Sequence, residues 1–178
     1  MPRIGLLSDS HGRAQTTRKA VDRLLRQGAQ VLVHLGDVGT LEVIDELRAS
    51  VPAADGGNPD AAIGEPIEAH VVFGNVDWDA DSMTRYARSL GIAVDHPVGR
   101  LDCDGRRLVF LHGHDSAAMA RELAAEPAYL CHGHSHRTRD ERVGPTRVIN
   151  PGALFRASEY TVALLDTDAD RLTFFPAE

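Results

Sequence analysis

Five short clusters carry the residue types that do metal and phosphate chemistry. They are Asp9-Ser10-His11, Gly36-Asp37-Val38, Gly74-Asn75-Val76-Asp77, His112-Gly113-His114 and Gly133-His134-Ser135-His136. The chain has nine histidines, and five of them fall between His112 and His136. A histidine cluster reads either as an exposed tract or as a metal site, and its neighbours decide which. Here Asp, His and Asn offer oxygen and nitrogen ligands without thiolate. That set suits manganese, iron, zinc or nickel and argues against a structural cysteine-type zinc site. In Asp-x-His and His-x-His, an extended backbone is expected to send residues i and i+2 to the same side, about 6–7 Å apart. Two such side chains could reach different ions of a pair about 3.5–4 Å apart. The glycines before Asp37, Asn75 and His134 allow sharp turns and close backbone approach.

Each cluster follows an apolar run that reads as a strand. The runs are Arg3–Leu7, Gln30–Leu35, Ala69–Phe73, Arg106–Leu111 and Ala128–Cys131. Between the first runs, Ala20, Val21, Leu24 and Leu25 recur at helical spacing, and Leu41 to Ala49 gives a second helix. Asp79 to Leu90 and Ser116 to Ala125 give two more, the last capped by Asp115. The chain therefore opens βαβα, which favours a layered α/β fold. Its second half reads as mostly antiparallel, with turns at Asp104-Gly105, Gly144-Pro145 and Thr167–Asp170. Sites in such folds form outside the carboxyl ends of the strands, so five clusters at five strand ends are expected to converge. The 52–67 segment is turn-rich and reads as a long loop. No repeat or linker breaks the chain, so residues 1–178 are read as one domain.

Composition narrows the function classes. Of the 178 residues, 43% are hydrophobic and 25% charged, a globular balance. The net charge of -7 disfavours a broad nucleic-acid-binding face. No apolar stretch approaches the roughly 20 residues of a membrane span. Two cysteines, Cys103 and Cys131, are too few for a disulfide scaffold. A soluble cytoplasmic protein is the expectation.

Taken in order, Asp-x-His, Gly-Asp, Gly-Asn-x-Asp, His-Gly-His and Gly-His-x-His resemble the calcineurin-like metallophosphoesterase superfamily. The short chain and Asn150-Pro151-Gly152 resemble its small, cap-less, YfcE-like phosphodiesterase branch. The resemblance runs from Ile4 to about Phe155 and implies a four-layer αββα sandwich. It implies that Asp9, His11 and His136 hold one divalent ion and that Asn75, His112 and His134 hold a second, with Asp37 bridging. By resemblance manganese is the first choice; the ligand types leave Zn2+, Fe2+ and Ni2+ open. The implied reaction is hydrolysis of a small phosphodiester by a metal-bridging hydroxide. The ions outweigh the carboxylates, so the site would attract an anion despite the chain's negative charge.

Many relatives carry His after the Gly-Asn, where this chain has Val76. Valine transfers no proton, so His114, or water, is the expected acid for the leaving group, and good leaving groups would be favoured. Asp77 either caps a turn or orients a ligand histidine. His34, His70, His96 and His132 read as packing or surface residues. Arg13, Arg137 and Arg156 lie near motifs and could contact phosphate. With no cap domain, specificity falls to the 52–66 loop, the segment around Trp78, the segment after Pro151, or a neighbouring subunit in a homo-oligomer. Two alternatives stand beside the phosphodiesterase. One is a phosphomonoesterase acting on nucleotides or phosphoproteins. The other is a non-catalytic scaffold similar to the retromer subunit of this fold.

Overall fold

A computed structural model describes residues 2–49 and 66–177. The loop expected at 52–67 lies outside them except for Pro66 and Ile67. The chain begins β1 (Arg3–Leu7), α1 (Ala14–Arg26), β2 (Val31–His34), α2 (Leu41–Leu47), β3 (Glu68–Val71), α3 (Ala80–Ser89) and β4 (Ala93–Val94). It continues β5 (Val98–Cys103), β6 (Arg106–Leu111), α4 (Ser116–Ala124), β7 (Tyr129–Cys131), β8 (Thr138–Val143), β9 (Thr146–Pro151), β10 (Thr161–Asp166) and β11 (Arg171–Pro176). One sheet has the order β11-β10-β1-β2-β3-β4, the other β5-β6-β7-β9-β8.

Strand alternation sorts the apolar residues into three cores, and so fixes four layers. From β1, Ile4 and Leu6 point between the sheets and meet Leu108 and Phe110 of β6. Leu7 points the other way, into a core with Ala20, Val21 and Leu24 of α1, Ile44 of α2 and Met83 of α3. Gly5 leaves room for that helix, since a Cβ there would meet Leu24 and Leu32 at 3.0 Å. On the outer face of the second sheet, Val109 and Leu111 pack with Ala118 of α4. The result is helices, sheet, sheet, helix, the αββα sandwich expected. Each fully buried side chain of this kind stabilises the fold by roughly 1.5–3 kcal/mol.

The local signals account for most boundaries. Asp104 and Gly105 both take positive φ, 53° and 82°, and join β5 to β6 with Cys103 opposite Arg106. The Asp115 carboxylate accepts from the Ala117 and Ala118 N–H groups at 2.9 and 3.0 Å and starts α4. The second sheet departs from a plain antiparallel reading at its centre. β7 runs parallel to both β6 and β9, because α4 carries the chain back over the sheet between β6 and β7. That crossover puts the carboxyl ends of β6 and β7 on one edge, as β1, β2 and β3 are in the other sheet.

Candidate metal centre

All five clusters converge at that shared edge. Asp9, His11, Asp37 and His136 offer ligand atoms that all lie within 4.8 Å of one another, as do those of Asp37, His112 and His134. Asp37 belongs to both groups. Asn75 joins the second, its Oδ1 3.2 Å from His112 Nε2. Asp9 and Asp37 are buried, at 0% and 2% exposure, while Asn75 and His134 face solvent. The ring of His114 lies 5.4 Å from that of His112 and 6.2 Å from that of His134, exposed on the rim.

The backbone that presents these side chains is not extended. Asp9, His11, Asp37, His134 and His136 take φ of 57°, 45°, 54°, 65° and 56°. The alternation expected for Asp-x-His and His-x-His is therefore replaced by tight left-handed turns. Such residues cost about 1–3 kcal/mol each unless their surroundings fix them. Here the surroundings do. Asp9 N donates to Gly36 O at 3.0 Å, His11 N to Asp37 O at 2.9 Å and Gly133 N to His112 O at 2.9 Å. His134 N donates to the Asp9 carboxylate at 3.1 Å, and Val76 N to the Asp37 carboxylate at 3.1 Å. The motif glycines allow this closeness. A Cβ on Gly74 would lie 2.1 Å from Asp37 Oδ1, and one on Gly133 1.9 Å from Ser8 Oγ.

With His112 neutral, lone pairs face each other across the centre with no proton to share. His112 Nδ1 lies 2.8 Å from the Leu35 carbonyl, which can only accept, so Nδ1 carries the proton. In the neutral ring Nε2 is then an acceptor, yet it faces Asn75 Oδ1 at 3.2 Å and Asp37 Oδ1 at 3.3 Å. Asp9 Oδ1 and His11 Nε2 are buried with no hydrogen-bond partner among the described residues. His136 Nε2 approaches that Asp9 oxygen at 3.2 Å, and His11 Nε2 lies 3.4 Å from Asp37 Oδ2. A cation in each group would satisfy these atoms together, so the residues fit divalent metal.

The titration behaviour carries the same imprint. Burial raises the Asp9 carboxyl and lowers His11 and His134. At His112 burial also opposes charge, but the hydrogen bond and charge of Asp37 outweigh it and hold the ring above its ordinary pKa. Burial likewise opposes charge on Asp37, and His112, the Val76 N–H and His11 more than offset it, so Asp37 sits low. A cation competes with the second proton, the one that charges His112 at Nε2. Affinity is therefore highest above the raised His112 pKa and falls as pH drops through it, by about tenfold per unit. Calorimetric Mn2+ titrations at pH 6 and pH 8, in buffers of different ionisation enthalpy, should show tighter binding at pH 8 and proton release at pH 6. Affinity that is flat across this range would contradict the raised His112 pKa.

Two residues do work that their sequence context did not show. Among the described residues Asp77 has no hydrogen bond to a histidine. Its carboxylate accepts from Gly74 N at 2.8 Å, Gly39 N at 2.8 Å and Val38 N at 3.2 Å, clamping the Asp37 loop to the Asn75 loop. Asp77→Ala leaves three buried or half-buried donors unpaired, and metal affinity is expected to fall about 10–100-fold. Equilibrium dialysis checks this, with Asp77→Asn recovering part of the loss through its remaining acceptor oxygen. His34 is fully buried. Burial, aided by the charge of His112, pushes it down to about 3, so it stays neutral. Its Nδ1 accepts from Gly36 N at 3.2 Å and its Nε2 donates to Ser10 Oγ at 2.8 Å, joining the first two clusters. A lone histidine at the end of an apolar strand gives no such signal. Asn150, buried under the last cluster, donates to Gly133 O at 2.8 Å and accepts from Gly152 N at 2.9 Å.

Fold and site define a layered α/β protein with a candidate metal centre at its strand ends. The family model for the calcineurin-like phosphoesterase superfamily domain matches residues 2–170, and the chain belongs to that superfamily. It is 23% identical to phosphodiesterase MJ0936 of Methanocaldococcus jannaschii over 175 residues, 93% of each chain. It is 27% identical to phosphodiesterase YfcE of Escherichia coli K12 over 157 residues, 86% of this chain and 80% of the relative. A solved archaeal phosphodiesterase superposes with a TM-score of 0.80 at 22% identity, covering 98% of this chain and 99% of that one. The chain is a metal-dependent phosphoesterase.

Proposed function

We propose that this enzyme is a phosphodiesterase whose single domain holds two divalent ions, with manganese the first choice. The observation that carries the reading is a pair of ligand groups sharing Asp37, with Asp9 Oδ1 and His11 Nε2 buried without a hydrogen-bond partner among the described residues and His112 Nε2 turned onto the Asn75 and Asp37 oxygens. Asp9, His11 and His136 would hold one ion and Asn75, His112 and His134 the other, with Asp37 common to both. When bound, the ions would polarise the phosphoryl oxygens and lower the pKa of water enough to make it a nucleophile near neutrality. The protein supplies the rest. Leu35 fixes the His112 tautomer, and the Val76 N–H orients Asp37. Val76 offers no proton, so His114 on the exposed rim hands one to the leaving oxygen. A cavity of about 190 Å³ beside it, bordered by Phe73, His96, Leu111 and Ala118, would take an ester arm. The substrate is a small phosphodiester. The free thiols of Cys103 and Cys131 accord with a reducing, cytoplasmic setting. Among the described residues no helix is long and apolar enough to cross a membrane.

The test compares Mn2+-restored protein on bis(p-nitrophenyl) phosphate and on p-nitrophenyl phosphate. Faster turnover of the diester supports the reading. Faster turnover of the monoester moves it to a phosphomonoesterase. Bound metal without turnover of either, with manganese, nickel, zinc or iron, favours the scaffold. For the acid, His114→Ala should lose more rate with an alkyl leaving group than with nitrophenolate. An equal loss removes His114 from that role.

A further inference from the structure

The segment after Pro151 brings an aromatic ring beside the centre, and two cations, Arg13 and Arg156, lie over it. Leu154 N donates to Ser8 O at 3.1 Å, which pins the segment to the loop carrying Asp9 and His11. Phe155 is half-buried, and its ring centroid lies 4.9 Å from that of His11. The Arg13 guanidinium lies over the same ring at 4.5 Å and that of Arg156 at 5.1 Å. Arg13 is fixed at the entry of α1, its N–H donating to Ser10 O at 2.9 Å. Arg156 takes a φ of 48°.

Among the described residues Arg3, Arg18, Arg100, Arg121, Arg139, Arg142, Arg147 and Arg171 each reach a carboxylate. Arg13 and Arg156 have no carboxylate partner among the described residues, and both are exposed. Sharing one ring keeps their charges within about 10 Å, the range where like charges still repel at moderate salt. No carboxylate among the described residues neutralises them, although the chain carries a net charge of -7. Two unpaired guanidiniums beside a phosphoester centre match a dianion, since the planar fork of each can donate two bonds to phosphate oxygens. The ring limits their motion, so less entropy is lost when an anion arrives.

We propose that Arg13 and Arg156, held over Phe155, bind a second, terminal phosphate carried by one ester arm of the substrate. This rests on the phosphodiesterase reading and narrows its substrate class. Bis(p-nitrophenyl) phosphate would then be turned over without using this subsite.

The test uses a matched pair, a nucleoside 5′-(p-nitrophenyl phosphate) with and without a 3′-phosphate. The ratio of their kcat/KM values should favour the 3′-phosphorylated ester by about tenfold or more. Arg13→Gln and Arg156→Gln should each cut that ratio at least about threefold, and the double variant should bring it close to one. Arg26→Gln, at the far end of α1, should leave the ratio unchanged. A ratio near one in the wild type overturns the proposal, as does an equal fall with Arg26→Gln. A second measurement separates its failure from that of the function. Calorimetry of Mn2+-saturated protein with a nucleoside 3′,5′-bisphosphate and the 5′-monophosphate reads the subsite without turnover. If neither ester is hydrolysed, the function fails. Preferential bisphosphate binding, lost in the two arginine variants, still upholds the subsite, and equal binding removes it.

Discussion

Asp37→Asn should lower kcat/KM for a phosphodiester by at least about 1000-fold, because it strikes both halves of the centre at once. Asp37 is the one carboxylate common to the two ligand groups. Its Oδ1 meets the Val76 N–H at 3.1 Å and His112 Nε2 at 3.3 Å, and its Oδ2 lies 3.4 Å from His11 Nε2. Asparagine keeps the shape and one acceptor oxygen, so the Val76 N–H stays paired and the fold persists. It loses the negative charge and replaces the other oxygen with an NH2 group that cannot ligate. The expected readout is a native circular dichroism spectrum, fewer bound ions per chain and turnover near background. A variant within tenfold of the wild type, with full metal content, would show that Asp37 bridges nothing.

Gly74→Ala should come close to that loss although it removes no ligand. A Cβ at Gly74 would sit 2.1 Å from Asp37 Oδ1 and 2.6 Å from the Asp37 backbone nitrogen. The backbone atom cannot swing aside as a flexible side chain would, so the Asn75 and Asp37 loops must part. That also strains the Asp77 clamp, which bonds Gly74 N at 2.8 Å and Gly39 N at 2.8 Å. A misplacement of about 1 Å in such a centre costs on the order of 100-fold in rate. Activity should fall by that factor or more, with metal affinity reduced and excess Mn2+ restoring little. Near-normal kcat/KM would mean that the two loops are not held together as tightly as the contact implies. The open turn at Gly105, where a Cβ meets nothing within 4 Å, is the matching control. Unlike Gly74 it has a positive φ, so Gly105→Ala carries a backbone cost and no steric one, and should still lose far less activity than Gly74→Ala.

The site was more legible than the way it is built. The types and order of Asp9, His11, Asp37, Asn75, His112, His134 and His136 mark a metal-ligand set, and strand-ending apolar runs place them on one edge. The turns at Asp104-Gly105 and the Asp115 cap were equally plain, because short local rules govern them. The left-handed backbone of the ligands was not. Aspartate and histidine give no sign of their φ, which here is set by hydrogen bonds from loops tens of residues away. The role of Asp77 was hidden for the same reason, since its three donors sit on Val38, Gly39 and Gly74. His34 looked like any buried strand residue. The two-residue β4 is too short to show a period, and the parallel pairing of β7 is invisible until α4 is seen to cross over. The meeting of Arg13 with Phe155 joins residues from opposite ends of the chain, and only the fold brings them together.

The central claim is that two ions, sharing Asp37, form one hydrolytic centre. Its most direct test is an Mn2+ titration of metal-stripped protein, with bis(p-nitrophenyl) phosphate turnover followed against bound metal. The expected result is a rate that stays low until the first site fills and then rises to a plateau at two ions per chain, with Asp37→Asn silent throughout. A plateau at one ion per chain, or full turnover in the metal-stripped protein, would contradict it.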